Sequence, residues 1–143
     1  MDHTLRVTRD IFIQTDPLTV WKALTDKEMI RQYFFGTEAV SDWKVGSSLI
    51  FQGEWDGQIY RDKGHIRAVE KGKLLQYTYW SEFSGLQDRE ENYALVTYRL
   101  EPKENGTMLT ISQKGYAGKE AAAHSGEGWA MVLENLRKLL EQD

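Results

Sequence analysis

Residues 125–141 carry one amphipathic stripe. Trp129, Val132, Leu133, Leu136, Leu139 and Leu140 recur there at spacings of three and four, the repeat of a single helix face. Ahead of it lie about seven short strand patterns, with no other helical stripe of that length. A helix so apolar on one side must cover something, and here only a sheet can supply the surface. At roughly 1.5–3 kcal/mol per buried side chain, these residues would contribute on the order of 10 kcal/mol gross. That is comparable with the whole net stability of a domain. The helix is therefore expected to hold the fold together, and its deletion to unfold the chain. A sheet curved around it would leave a pocket between the two, and function is expected there.

The chain before the helix divides cleanly. Residues 5–15 read as strand, with Val7, Arg9, Ile11 and Ile13 on one face and Phe12 on the other. Asp16-Pro17 predicts a helix start, a capping side chain followed by a residue whose fixed φ suits the first turn. Val20, Trp21 and Leu24 lie on that short helix. Thr25-Asp26 restarts a second one through Met29, Ile30 and Tyr33, ending near Gly36. Turn signals then separate strands at 37–42, 48–54, 58–69, 74–80, 93–101 and 107–114. Asp56-Gly57 and Asn105-Gly106 are strong hairpin signals. Residues 81–91 form a polar loop longer than a hairpin needs, and 115–124 lead into the terminal helix. Strands joined by short turns must be antiparallel. The expected class is α+β: an antiparallel sheet of about seven strands, two short helices after the first strand, and a long C-terminal helix.

With 143 residues, the chain fits a single domain spanning 1–143. A net charge of −4 without a basic block gives no electrostatic footprint for nucleic acid. The absence of cysteine removes disulfides, thiolate nucleophiles and the usual structural zinc sites together. No apolar run approaches the roughly 18 residues of a membrane span. Met1-Asp2-His3-Thr4 leads directly into a strand pattern, without the apolar region of a signal peptide. The expected location is the cytoplasm.

Four segments stand in order along the chain: Ile11-Phe12-Ile13 followed by Asp16-Pro17-Leu18-Thr19-Val20-Trp21-Lys22-Ala23-Leu24-Thr25-Asp26; Asp42-Trp43-Lys44-Val45-Gly46; Gly64-His65-Ile66-Arg67-Ala68-Val69 with Lys73-Leu74-Leu75-Gln76-Tyr77-Thr78-Tyr79; and Gly128-Trp129 through Leu140-Glu141. They resemble, in turn, the opening strand and first helix, the characteristic turn, the central hairpin and the terminal helix of the START-like superfamily, also called SRPBCC or polyketide-cyclase-like. The branch they resemble most is that of homologues of the activator of the heat-shock-protein-90 ATPase. The resemblance implies a helix-grip fold, a curved sheet around the long helix with an internal cavity. It does not imply one activity, because such folds include ligand carriers, cyclases, hydrolases and chaperone regulators.

No motif names a reaction. Of the three histidines, His3 lies near a terminus and His124 reads as a loop or capping residue just before the helix. His65 falls inside a strand and is the one weak candidate for acid–base chemistry. By alternation it shares a face with Lys63, Arg67 and Val69, company that equally suits a solvated surface. No His-x-x-x-His pair exists, and Asp88 with Glu90-Glu91 reads as a solvated loop cluster, so no metal or other cofactor is expected. Ser81, Ser84 and Ser125 lack a histidine–carboxylate pattern that would activate them.

Aromatic residues are the remaining signal: five tryptophans, seven tyrosines and five phenylalanines. Such side chains dominate pocket walls as well as cores, and both readings stand for Trp55, Trp80 and Phe83 beside their turns. The expected ligand-binding residues are Tyr33, Phe34, Phe51, Trp55, Tyr77, Tyr79, Tyr93 and Trp129 as walls. Tyr60 and Arg99 would orient a ligand, and Thr97 would add a further hydroxyl. A one-residue slip in register would send any of these to the other face. The expected function is binding of an apolar or amphipathic small molecule between sheet and helix. The alternatives are a protein-interaction module of chaperone-ATPase-activator type, or a cyclase or hydrolase acting in the same cavity.

Overall fold

Turn chemistry explains most of the architecture in the computed structural model, which describes residues 1–142. The strands are β1 (Asp2–Ile13), β2 (Glu38–Ser41), β3 (Ser48–Trp55), β4 (Gln58–Glu70), β5 (Leu74–Tyr79), β6 (Ala94–Lys103) and β7 (Gly106–Tyr116). They form one sheet in the order β1-β7-β6-β5-β4-β3-β2, and each neighbouring pair is antiparallel. Strands β2 to β7 therefore run as a meander, and β1 lies beside β7 at the far edge. Between β3 and β4, Asp56 and Gly57 both take left-handed φ values of 51° and 79°. A two-residue hairpin loop needs that combination, and it sets Trp55 opposite Gln58.

The passage from β1 at one edge to β2 at the other is made by α1 (Pro17–Thr25) and α2 (Lys27–Tyr33). Asp16 caps α1 by accepting from the Thr19 N–H at 3.2 Å, with Pro17 in the first turn. Asp26 closes α1 and caps α2, accepting from the N–H groups of Glu28 and Met29 at 2.9 and 3.1 Å. Each aspartate satisfies backbone donors that would otherwise be orphaned at a helix start.

The third helix, α3 (Lys119–Leu140), lies against one face of the curved sheet. It buries Trp129, Val132, Leu133 and Leu136 against Ile13, Leu49, Phe51, Tyr77, Val96, Tyr98 and Ile111 of the strands. Leu139 and Leu140 pack at the margin of the same core. The expected class, with its order of elements, is what the structure shows.

The largest differences from the sequence reading lie at the starts of α3 and β1 and in the 81–91 loop. Helix α3 begins at Lys119 rather than 125, taking in Ala121-Ala122-Ala123. Alanine favours helix intrinsically but contributes no apolar periodicity, so the stripe alone did not reveal this turn. His124 consequently sits inside the helix, not before it. Strand β1 begins at Asp2, paired with Tyr116, and the 81–91 loop contains two short 3-10 turns, Glu82–Ser84 and Glu90–Asn92.

Candidate functional site

The concave face of the sheet and α3 enclose a cavity of about 530 Å³. Alternation along the strands decides its walls. Strand β3 contributes Phe51, β4 contributes Tyr60 and Asp62, and β5 contributes Tyr77 and Tyr79. Phe34 and Phe35 close one side from the turn after α2, and Trp129 and Val132 form the helix side. The rings pack on one another. Phe34 stacks on Phe51 with centroids 5.9 Å apart and meets Trp129 edge-on at 5.8 Å. Phe51 in turn lies 5.8 Å from Tyr77 and 6.2 Å from Tyr79. Trp55, Phe83 and Phe35 line the same cavity while 64%, 56% and 45% exposed, and so form its rim.

Polar groups in this apolar shell are few, and most are paired, as burial demands. The Trp129 Nε1–H donates to Gln113 Oε1 at 2.9 Å. The hydroxyls of Tyr77 and Tyr98 lie 3.0 Å apart, and those of Tyr116 and Ser125 2.8 Å apart. Tyr60 shares a hydrogen bond with Thr37. Burial pushes the Tyr77 and Tyr79 hydroxyls well above the ordinary tyrosine range, which keeps both protonated as donors.

Asp62 is the exception. It is 7% exposed, and its Oδ2 accepts from the Tyr79 hydroxyl. Its Oδ1 is buried with no hydrogen-bond partner among the described residues. Burial pushes its carboxyl above the usual 3.8, opposed by the Tyr79 and Ser81 hydroxyls and the Glu82 N–H and assisted by the charge of the Glu82 side chain. Asp62 thus holds its proton more tightly folded than unfolded. Its contribution to stability is greatest below 3.8 and is lost as pH rises through the folded value. Asp62→Asn is therefore expected to melt no lower than the parent at neutral pH, with any gain shrinking on acidification. Calorimetric melts across that range test this. A drop of several degrees at neutral pH would instead make the carboxylate a structural partner.

Six of the sequence-derived wall residues meet here, Phe34, Phe51, Trp55, Tyr77, Tyr79 and Trp129, together with Tyr60 of the orienting pair. The others lie elsewhere. Tyr33 is core rather than lining, its hydroxyl donating to the Ala23 carbonyl at 3.0 Å. Arg99 is exposed and points away from the cavity, because Val96, Tyr98 and Leu100 occupy the inward positions of β6. Thr97 shares that outward parity and accepts from Gln76 Nε2 at 3.1 Å. Tyr93 and His65 line a second, more polar hollow on the opposite face of the sheet, with His3 and Arg67. Trp80 is on that side too, stacked with Tyr93 at 6.5 Å. The sheet thus separates His65 from the cavity.

Sequence reasoning missed Asp62, Gln113 and His124 as lining residues. Asp62 carried a usable signal, since it lies two positions from Tyr60 on the same strand and so on the same face. Among the described residues there is no cluster of three potential metal ligands, and no helix long and apolar enough to cross a membrane.

A curved antiparallel sheet gripping a long C-terminal helix defines a START-like domain of the helix-grip kind. Residues 14–141 match the family described as Activator of Hsp90 ATPase homolog 1-like protein, and the chain belongs to that family. Its structure is similar to that of ChR145 from Cytophaga hutchinsonii, at 37% identity and TM-score 0.83, covering 99% of this chain and 97% of the other. It is also similar to MLL2253 from Mesorhizobium loti, at 25% identity and TM-score 0.79, covering 96% and 97%. The Aha1 dimer from Colwellia psychrerythraea shares the fold at 18% identity and TM-score 0.76, covering 96% of each chain. No curated protein matches the chain.

Proposed function

We propose that this domain binds an apolar or amphipathic small molecule in the cavity between sheet and α3. The observation that carries the reading is the cavity itself. Its volume of about 530 Å³ falls within the roughly 300–1,000 Å³ typical of small-molecule sites. Its aromatic walls with a few placed polar groups are the chemistry such sites use. The exposed rim of Phe35, Trp55 and Phe83 gives a ligand an apolar route inward.

A thermal-shift screen against lipids, aromatic compounds, amines and small acids tests this. A ligand present at about 100 times its dissociation constant adds roughly 2.7 kcal/mol. For a domain of this size the expected shift is about 3–6 °C. A reproducible shift confined to one chemical class supports the reading, and no shift from any class counts against it.

A second reading, a protein-interaction module, draws on family membership and on the same rim. Phe35 and Trp55 meet edge-on at 6.4 Å, and both are exposed. Stimulation of an Hsp90-type ATPase that Trp55→Ser abolishes would favour it.

A further inference from the structure

We propose that the cavity selects organic cations: an amphipathic amine whose apolar body lies among the aromatic rings and whose ammonium pairs with the Asp62 carboxylate. The inference rests on the small-molecule reading above and names the chemical class of the ligand.

The argument starts from the cost of Asp62. Buried charges in proteins are paired or hydrogen-bonded, because desolvating an uncompensated one is expensive. Asp62 is 7% exposed, and Tyr79 occupies only Oδ2. Asp62 lines the cavity, and its Oδ1 has no partner within hydrogen-bond distance among the described residues, although the Ser81 hydroxyl and the Glu82 N–H lie near the carboxyl. A ligand that donates a hydrogen bond there would offset a cost the folded protein already bears, and a charged donor does so most strongly.

The surrounding charges set the sign. No lysine or arginine is among the described residues lining the cavity, and Arg9 lies near Tyr116, so an anionic head group beside Asp62 would meet no lining countercharge. It would instead meet Asp62, with Glu82 of the first 3-10 turn adding to the negative field. The other titratable side chains on the cavity are tyrosines and His124 of α3. Like-charge juxtaposition in a low-dielectric site disfavours carboxylates and phosphates strongly.

The walls near Asp62 suit a cation as well. Tyr79 is its hydrogen-bond partner, and Tyr60 lies two residues along the same face of β4. Tyr79 packs on Phe51 at 6.2 Å and Tyr60 on Phe83 at 6.3 Å. Ring faces attract an ammonium within about 6 Å, more so when water is excluded. Carboxylate and aromatic rings converge on one kind of head group.

Calorimetric titration at neutral pH with a matched series tests the proposal: 2-(2-naphthyl)ethylamine, 2-(2-naphthyl)ethanol and 2-naphthylacetate share one aromatic body. The amine is expected to bind at least about tenfold tighter than the acetate, with the alcohol between them. Asp62→Asn is expected to weaken the amine about tenfold while leaving the alcohol within about twofold. Equal or tighter binding of the acetate overturns the proposal, as does an amine preference that survives Asp62→Asn. Binding of all three without preference overturns this inference alone. Binding of none overturns the small-molecule reading with it. If Asp62→Asn fails to fold, the amine-to-alcohol ratio of the unaltered protein serves instead. It is expected to fall towards one as Asp62 is protonated on acidification, and to do so in His124→Gln as well. A ratio that holds constant overturns the proposal.

Discussion

A chain ending at Ala117, with β7 complete and α3 removed, is expected to show no cooperative thermal unfolding. The helix buries Trp129, Val132, Leu133 and Leu136, worth on the order of 10 kcal/mol gross at about 1.5–3 kcal/mol each. Removal does more than forfeit that sum. It uncovers the concave face, where Phe51, Tyr77, Val96 and Ile111 are each less than 8% exposed in the intact fold. A domain's net stability is only about 5–15 kcal/mol, so the loss equals the whole margin. Trp129 also leaves Gln113 Oε1 without its donor, and an orphaned buried acceptor adds about 1–3 kcal/mol where burial persists. Circular dichroism melts of the shortened chain are the measurement. A sigmoidal transition with the parent's strand signal would mean that the sheet stands without its helix.

The same dependence explains what could be read from sequence. Strand positions came out within a few residues because the chemistry of the turns is local. Asp56-Gly57 and Asp16-Pro17 dictate backbone geometry wherever they occur. The start of α3 was hidden because the alanines before Ser125 promote helix without marking a face. The site was legible where hydrophobic alternation was clean. On β5, Leu75 and Tyr77 are inward, and Tyr79 follows at the same parity. On β6 the apolar set Ala94, Val96, Tyr98 and Leu100 was equally regular, which places Arg99 and Thr97 outward. Assigning Arg99 to the ligand set that parity aside. Strand β4 was the hard case, because Arg61, Lys63 and His65 on one face and Tyr60, Asp62 and Gly64 on the other are all polar or small. Only the neighbouring strands decide which face is buried, and they decide it in favour of Asp62. Tertiary context, not local pattern, made a carboxylate part of an aromatic cavity.

Gly64→Ala is expected to be among the most destabilising small substitutions in this chain, for a reason separate from glycine's usual one. Gly64 is not among the residues with left-handed φ, so the backbone itself would accept alanine. Space would not. A Cβ at Gly64 would lie 1.6 Å from the Thr78 carbonyl oxygen and 2.5 Å from its carbon. Both are backbone atoms, and no rotamer change relieves the clash. The strands are also held on either side of the contact. Lys63 and Trp80 exchange backbone bonds of 3.0 and 2.8 Å, and Ile66 pairs with Tyr77. His65 N–H donates to Thr78 Oγ1 at 2.9 Å, so moving Thr78 costs a further hydrogen bond. Overpacking costs about 1–3 kcal/mol where side chains can adjust, and with backbone on the receiving side about 3 kcal/mol is expected. That corresponds to a fall in Tm of roughly 10 °C. Gly85→Ala is the control: Gly85 has φ of 79° and no atom near its would-be Cβ, so it bears only the left-handed backbone penalty of about 1 kcal/mol. A Gly64→Ala loss no larger than the Gly85→Ala loss would show that β4 and β5 can part locally. The larger loss should come with weakened binding in the cavity, because Asp62 and Tyr79, whose pairing places the carboxylate, flank that contact on β4 and β5.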